Sequence, residues 1–186
     1  MYYHGQGEGR QFTRAAVSQD GIHFEGREEE LGPHYFRVIE HEGFFYAMSM
    51  PGYLYRSPDG LSRFEAGPQF FNADMRHSAL LIRDGLLYVF FTQRGDAPER
   101  ILLSTLDLTG DWNTWTQSEA IEILRPETDW EGASLSIEPS RGGYIDVRAN
   151  QLRDPAIYQE GGNTYLLYSV AGESGIAVSE ISFSDH

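Results

Sequence analysis

The hydrophobic positions of this chain fall in short runs separated by glycine, proline, aspartate or asparagine, and no long window carries a helical period. Each run has strand length and strand composition, rich in tyrosine, phenylalanine, valine and isoleucine. Near the end, Gln151 to Tyr158 and Thr164 to Ser169 flank a Gly161-Gly162 turn, which predicts a β-hairpin. A third run, Gly175 to Ser179, extends it to a meander after the turn Ala171-Gly172-Glu173-Ser174.

The same plan is predicted twice upstream. His34 to Ile39, Phe44 to Ser49 and Tyr53 to Ser57 form one unit, with Phe64-Glu65 beginning a fourth strand. Arg76 to Ile82, Leu86 to Thr92 and Arg100 to Thr105 form another, with Trp112 to Trp115 at the fourth position. All three units place a tyrosine three residues after a turn glycine: Gly43/Tyr46, Gly85/Tyr88 and Gly162/Tyr165. Four-stranded meanders of roughly 40–50 residues are the sequence mark of propeller blades. The predicted fold is therefore all-β, a β-propeller in a single domain over 1–186. A partial first blade spans 1–31, and blades span about 34–71, 75–125 and 150–183. An irregular insertion spans about 126–149, and a solvated, glutamate-rich linker runs from Gly26 to Pro33. In the opening segment, Phe12 to Ser18 and Ile22 to Glu25 are predicted strands around an Asp20-Gly21 turn.

Composition narrows the function. The net charge of −14 disfavours nucleic acid and anionic membrane as partners. With no cysteine there is neither a disulfide framework nor a thiolate nucleophile or metal site. No run approaches transmembrane length, and Met1 to Gly5 lacks the pattern of a signal peptide, so a cytoplasmic location is the default expectation.

In a propeller the leading strand of each blade lines the axis, so residues heading those strands gather in one pocket. By position these are Arg37, Arg76, His77, Arg153 and Asp154. Competing structural roles are a turn-forming Asp-Pro for Asp154, a core histidine for His77, and a loop position for Glu131. Asp96 and Arg100 read as a loop ion pair, and Glu138 as a weaker acidic candidate.

Leu152-Arg153-Asp154-Pro155, with the hairpin after it, resembles the five-bladed propeller glycosidases of glycoside hydrolase families 32 and 43. The resemblance implies a pocket for an oligosaccharide or small carbohydrate, with Asp154 as an ionised carboxylate. Glycosidases work with two carboxyls, and Glu131 is the candidate acid. Trp130 is a candidate sugar platform, and Arg37, Arg76, His77 and Arg153 are candidate substrate holders. The resemblance allows an axial calcium ion and implies no other cofactor. The family-32 Asn-Asp-Pro and Glu-Cys motifs are missing. A non-catalytic carbohydrate-binding or scaffolding propeller therefore stands as an alternative, and a sialidase-like enzyme as another. The innermost strand of a first blade is also missing before Met1. That leads to the expectation of an incomplete ring, filled by an upstream blade or by self-association.

Overall fold

In a computed structural model residues 1–7, 9–62 and 64–183 are described, and among them there are sixteen β-strands. The described strands form four antiparallel sheets. The chain divides into two compact units, Met1–Ala73 and Asp74–His186, each with two sheets. Among the described residues no helix is long and apolar enough to cross a membrane.

In the first unit, β1 (Tyr2–Gly7) pairs with β2 (Arg10–Val17), and β2 also pairs with the two-residue strands β3 (Glu25–Gly26) and β4 (Gly32–Pro33). The predicted linker is thus tied to β2 at both ends, with Leu31 buried between. The predicted strand from Ile22 to Glu25 is mostly bend, because Asp20 Oδ1 accepts from the amides of Ile22 and His23 and curls the chain back. The next sheet runs β5 (Arg37–His41), β6 (Phe44–Ser49), β7 (Tyr53–Ser57) and β8 (Glu65–Gln69) in sequence order. Ala15, Leu31, Phe36 and Ala47 form the core of this unit.

The second unit opens with β9 (Met75–Arg83), β10 (Leu86–Gln93) and β11 (Ile101–Asp107). Trp112 to Trp115 does not supply the fourth strand. Trp112–Thr114 is a 3-10 turn that Asp111 caps through Asn113 N, and both tryptophans are buried. The fourth position is shared by β12 (Thr116–Gln117) and β13 (Ile121–Leu124), both paired with β11. The last sheet is β14 (Arg153–Glu160), β15 (Asn163–Val170) and β16 (Gly175–Ile181). Ala79, Leu81, Phe90, Ile101, Leu152, Leu166 and Tyr168 pack together as the core of this unit.

The repeated glycines have one cause. Glu42-Gly43, Asp84-Gly85 and Gly161-Gly162 all take positive φ at both residues, the hairpin turn whose twist matches its flanking strands. A second repeat is equally local. Ser18 and Ser57 each accept from the amides two and three residues on, while Asp20 and Asp59 do the same from their own positions. These Ser-x-Asp-Gly turns are self-contained caps, and the hydrogen bonds hold both aspartates far below the usual carboxylate range.

Candidate functional site

The second unit brings four of the predicted residues together through two matching bulges. In β9 the pairing with β10 slips at His77, which has φ +36. In β14 the pairing with β15 slips after Arg153, where Asp154 has φ +49. A bulge re-aims the side chain it carries. Positive φ costs a non-glycine residue about 1–2 kcal/mol, so both strands carry strain at the same place. The result is that His77 Nδ1 lies 2.6 Å from Asp154 Oδ1.

Asp154 keeps about a third of its side chain open, whereas His77 is buried. Burial pushes the Asp154 carboxyl up. The His77 ring 2.6 Å away, the Ser169 hydroxyl at 3.2 Å and Arg76 outweigh it and hold the carboxyl below its ordinary value. Asp154 is therefore an ionised, partly accessible carboxylate at neutral pH.

Behind this pair lie two buried arginines, Arg76 and Arg153. Glu99, fully buried, stands between them, 3.7 Å from Arg76 Nη1 and 3.3 Å from Arg153 Nε. Neither Glu99 oxygen accepts a hydrogen bond from the described residues, so charge alone holds it. Arg153 also donates to Gln151 Oε1 at 2.9 Å and meets Glu173 at 2.9 Å. Burial lowers the Arg76 pKa, with Glu99 acting the other way.

The remaining guanidinium donors meet the irregular segment. Arg76 Nη1 donates to the Arg141 carbonyl at 2.8 Å and Nη2 to the Gly143 carbonyl at 3.3 Å. Arg153 reaches the same two oxygens, Gly143 at 3.1 Å and Arg141 at 3.4 Å. A cavity of about 490 Å³ adjoins this contact, lined among others by Leu135, Tyr144, Val147, Asn150 and Arg153.

Glu131 has a different occupation. It is buried, and its Oε2 accepts from the amides of Glu127 and Thr128 and from the Thr128 hydroxyl, closing a capping box on its own 3-10 turn. Its Oε1 accepts from Tyr168 at 3.3 Å. Glu131 does hold a loop position, but a buried one. Trp130 next to it is exposed. Arg37 lies in the first unit, half-buried on β5. Arg100 lies closer to Glu122, at 2.9 Å, than to Asp96, at 3.8 Å. Among the described residues, no group of three or more histidine and carboxylate side chains could hold a metal ion.

Sequence reasoning passed over Glu99, Gln151 and Glu173. Glu99 carried a signal, a carboxylate beside proline at the head of β11, but its partners are distant in sequence.

No family model matches the chain. It is 38% identical over 197 residues to uncharacterized protein R118 of Acanthamoeba polyphaga mimivirus, across 95% of this chain and 55% of that protein. The chain thus spans about half the length of this relative. Among solved structures it is similar to a thermostable family-43 glycoside hydrolase, with TM-score 0.64 and 16% identity over 100% of this chain and 72% of the other. It is also similar to the α-L-arabinanase of Cellvibrio cellulosa complexed with arabinohexaose, with TM-score 0.59 and 12% identity over 98% and 70% of the two chains. A third is the α-L-arabinofuranosidase of Lactobacillus brevis, with TM-score 0.60 and 10% identity over 95% and 63%. The fold is a β-propeller. The described residues form four sheets, a four-bladed propeller, where the resemblance implied the five-bladed type. At these identities the likeness establishes the glycosidase-like propeller fold and nothing of its chemistry.

Proposed function

We infer that this chain is a glycoside hydrolase-like propeller that binds an oligosaccharide at Asp154 and His77. The observation carrying this reading is the 2.6 Å His77–Asp154 contact, built on two strained bulges and leaving Asp154 partly open. Strain of this kind gathers where function demands it. An ionised carboxylate locked by a buried histidine accepts hydrogen bonds from sugar hydroxyls without reorganising.

Binding is better supported than hydrolysis. Glycoside cleavage needs a protonated carboxyl opposite an ionised one. Glu131 spends both oxygens on its own loop and Tyr168, and a general acid needs a free proton-bearing oxygen. The non-catalytic carbohydrate-binding reading therefore comes first.

The test is calorimetric titration with neutral hexasaccharides (arabino-, xylo- and cello-hexaose), alongside a reducing-sugar assay. Saturable binding is expected for at least one of them, weakened about tenfold or more in Asp154→Asn, with no release of reducing ends. Equal binding by wild type and Asp154→Asn would remove Asp154 from the site. Turnover abolished by Asp154→Asn would instead make the protein an enzyme.

A further inference from the structure

The two carbonyl oxygens on the arginines form an unusual pair. Each accepts from both guanidiniums, Arg141 O from Arg76 and Arg153, and Gly143 O from the same two. Two acceptor oxygens shared by two fixed forks is how a ligand's adjacent oxygens are held.

Apart from the arginines, the hydrogen bonds of the segment that supplies them lie toward its two ends, where Arg148 Nη2 donates to the Asp129 carbonyl at 2.9 Å. Ser140 N donates to Asp96 O, and Ala149 N donates to Ala171 O. Residues 141–148 join no strand. Tyr144 and Val147 are exposed, and the 490 Å³ cavity lies against the segment. The Arg141 and Gly143 carbonyls are held by the two arginines, while Ile145 and Val147 lie against Gly172, with space beside the segment.

Charge selects what could replace the carbonyls. Arg76 and Arg153 are already balanced by Glu99 and Glu173. A carboxylate entering this buried place would bring an unpaired charge, which is costly, whereas hydroxyl oxygens would not.

We propose that residues 141–148 are a flap whose Arg141 and Gly143 carbonyls occupy the places of two neutral hydroxyl oxygens of the glycan on Arg76 and Arg153. The glycan displaces the flap on binding. This rests on the oligosaccharide reading above and names its ligand class, neutral rather than acidic sugar.

The experiment follows the Gly142 and Gly143 amide resonances of ¹⁵N-labelled protein during titration with the neutral hexaoses and with hexagalacturonate. It is paired with Gly143→Val. A Cβ at Gly143 meets open space, but φ there is +88, so a β-branched side chain strains the flap without touching a ligand group. The expected result is large shifts of both amides with a neutral hexaose, weak or no binding of hexagalacturonate, and about tenfold tighter neutral binding by Gly143→Val. Neutral binding with unmoved Gly142 and Gly143 signals, or unchanged affinity in Gly143→Val, would overturn the flap. Tighter binding of hexagalacturonate would overturn the ligand class. These outcomes leave the oligosaccharide reading standing, while no binding of either class ends both.

Discussion

Replacing Glu99 by glutamine keeps the shape of the side chain and removes the one fully buried charge between Arg76 and Arg153. At 3.3 and 3.7 Å, each pairing is worth about 4–5 kcal/mol of Coulomb attraction at an effective dielectric near 20. Against this stand the mutual repulsion of the two guanidiniums and several kcal/mol of carboxylate desolvation that glutamine does not incur. Removing one partner of a buried pair leaves a net loss of about 3–5 kcal/mol, a fall in Tm of roughly 6–20 °C for a chain of this size. All three tryptophans, Trp112, Trp115 and Trp130, lie in the second unit, so tryptophan fluorescence during heating reports on it directly. The control is Arg94→Gln, which breaks the exposed Arg94–Asp74 pair and should change stability by less than about 1 kcal/mol. Added salt should erase the small effect of Arg94→Gln and leave the large one of Glu99→Gln. A Glu99→Gln melt within about 2 °C of wild type would refute the claim that this carboxylate holds the arginines, and with it the electrostatic argument for a neutral ligand.

Three further outcomes are expected. Because the folded state holds the Asp154 carboxyl below its ordinary value, the unfolded chain binds that proton more tightly below about pH 4. The stability advantage of wild type over Asp154→Asn should be full near neutrality and shrink as pH falls through the folded value; urea titrations showing a constant difference would contradict this. Ser57→Ala removes a buried hydroxyl that accepts from Asp59 N and Gly60 N and donates to Ser62 O. It should cost about 1–2 kcal/mol, and more than the same change at the less buried Ser18. Gly132→Ala places a methyl group against the Ala149 carbonyl at φ +97, so it should destabilise the second unit by about 2 kcal/mol or more in denaturant. A neutral result would mean that the 126–149 segment yields locally.

The strands and hairpins of this protein were legible in one dimension because their causes are local. Alternation over a few residues sets β5 to β7, β9 to β11 and β14 to β16, and paired turn residues such as Asp84-Gly85 impose the hairpin by their own φ preference. Where a side chain captures its neighbours' amides, the pattern misleads. Asp20 bends Ile22 and His23 out of a strand, and Asp111 turns Trp112 to Thr114 into a 3-10 turn. Arg76, His77, Arg153 and Asp154 could be singled out in the sequence as heads of leading strands, a one-dimensional property, and the structure brings them together. What only the tertiary structure decided was who meets whom. Glu99 reaches Arg76 and Arg153 across a gap of many residues, and the Arg141 and Gly143 carbonyls reach the same guanidiniums from an irregular segment. Glu131, by contrast, turned inward to cap its own loop. Such contacts depend on charge and hydrogen-bond geometry between chain segments whose separation no periodicity encodes, and they decide which carboxylates are buried in internal contacts and which stay partly open.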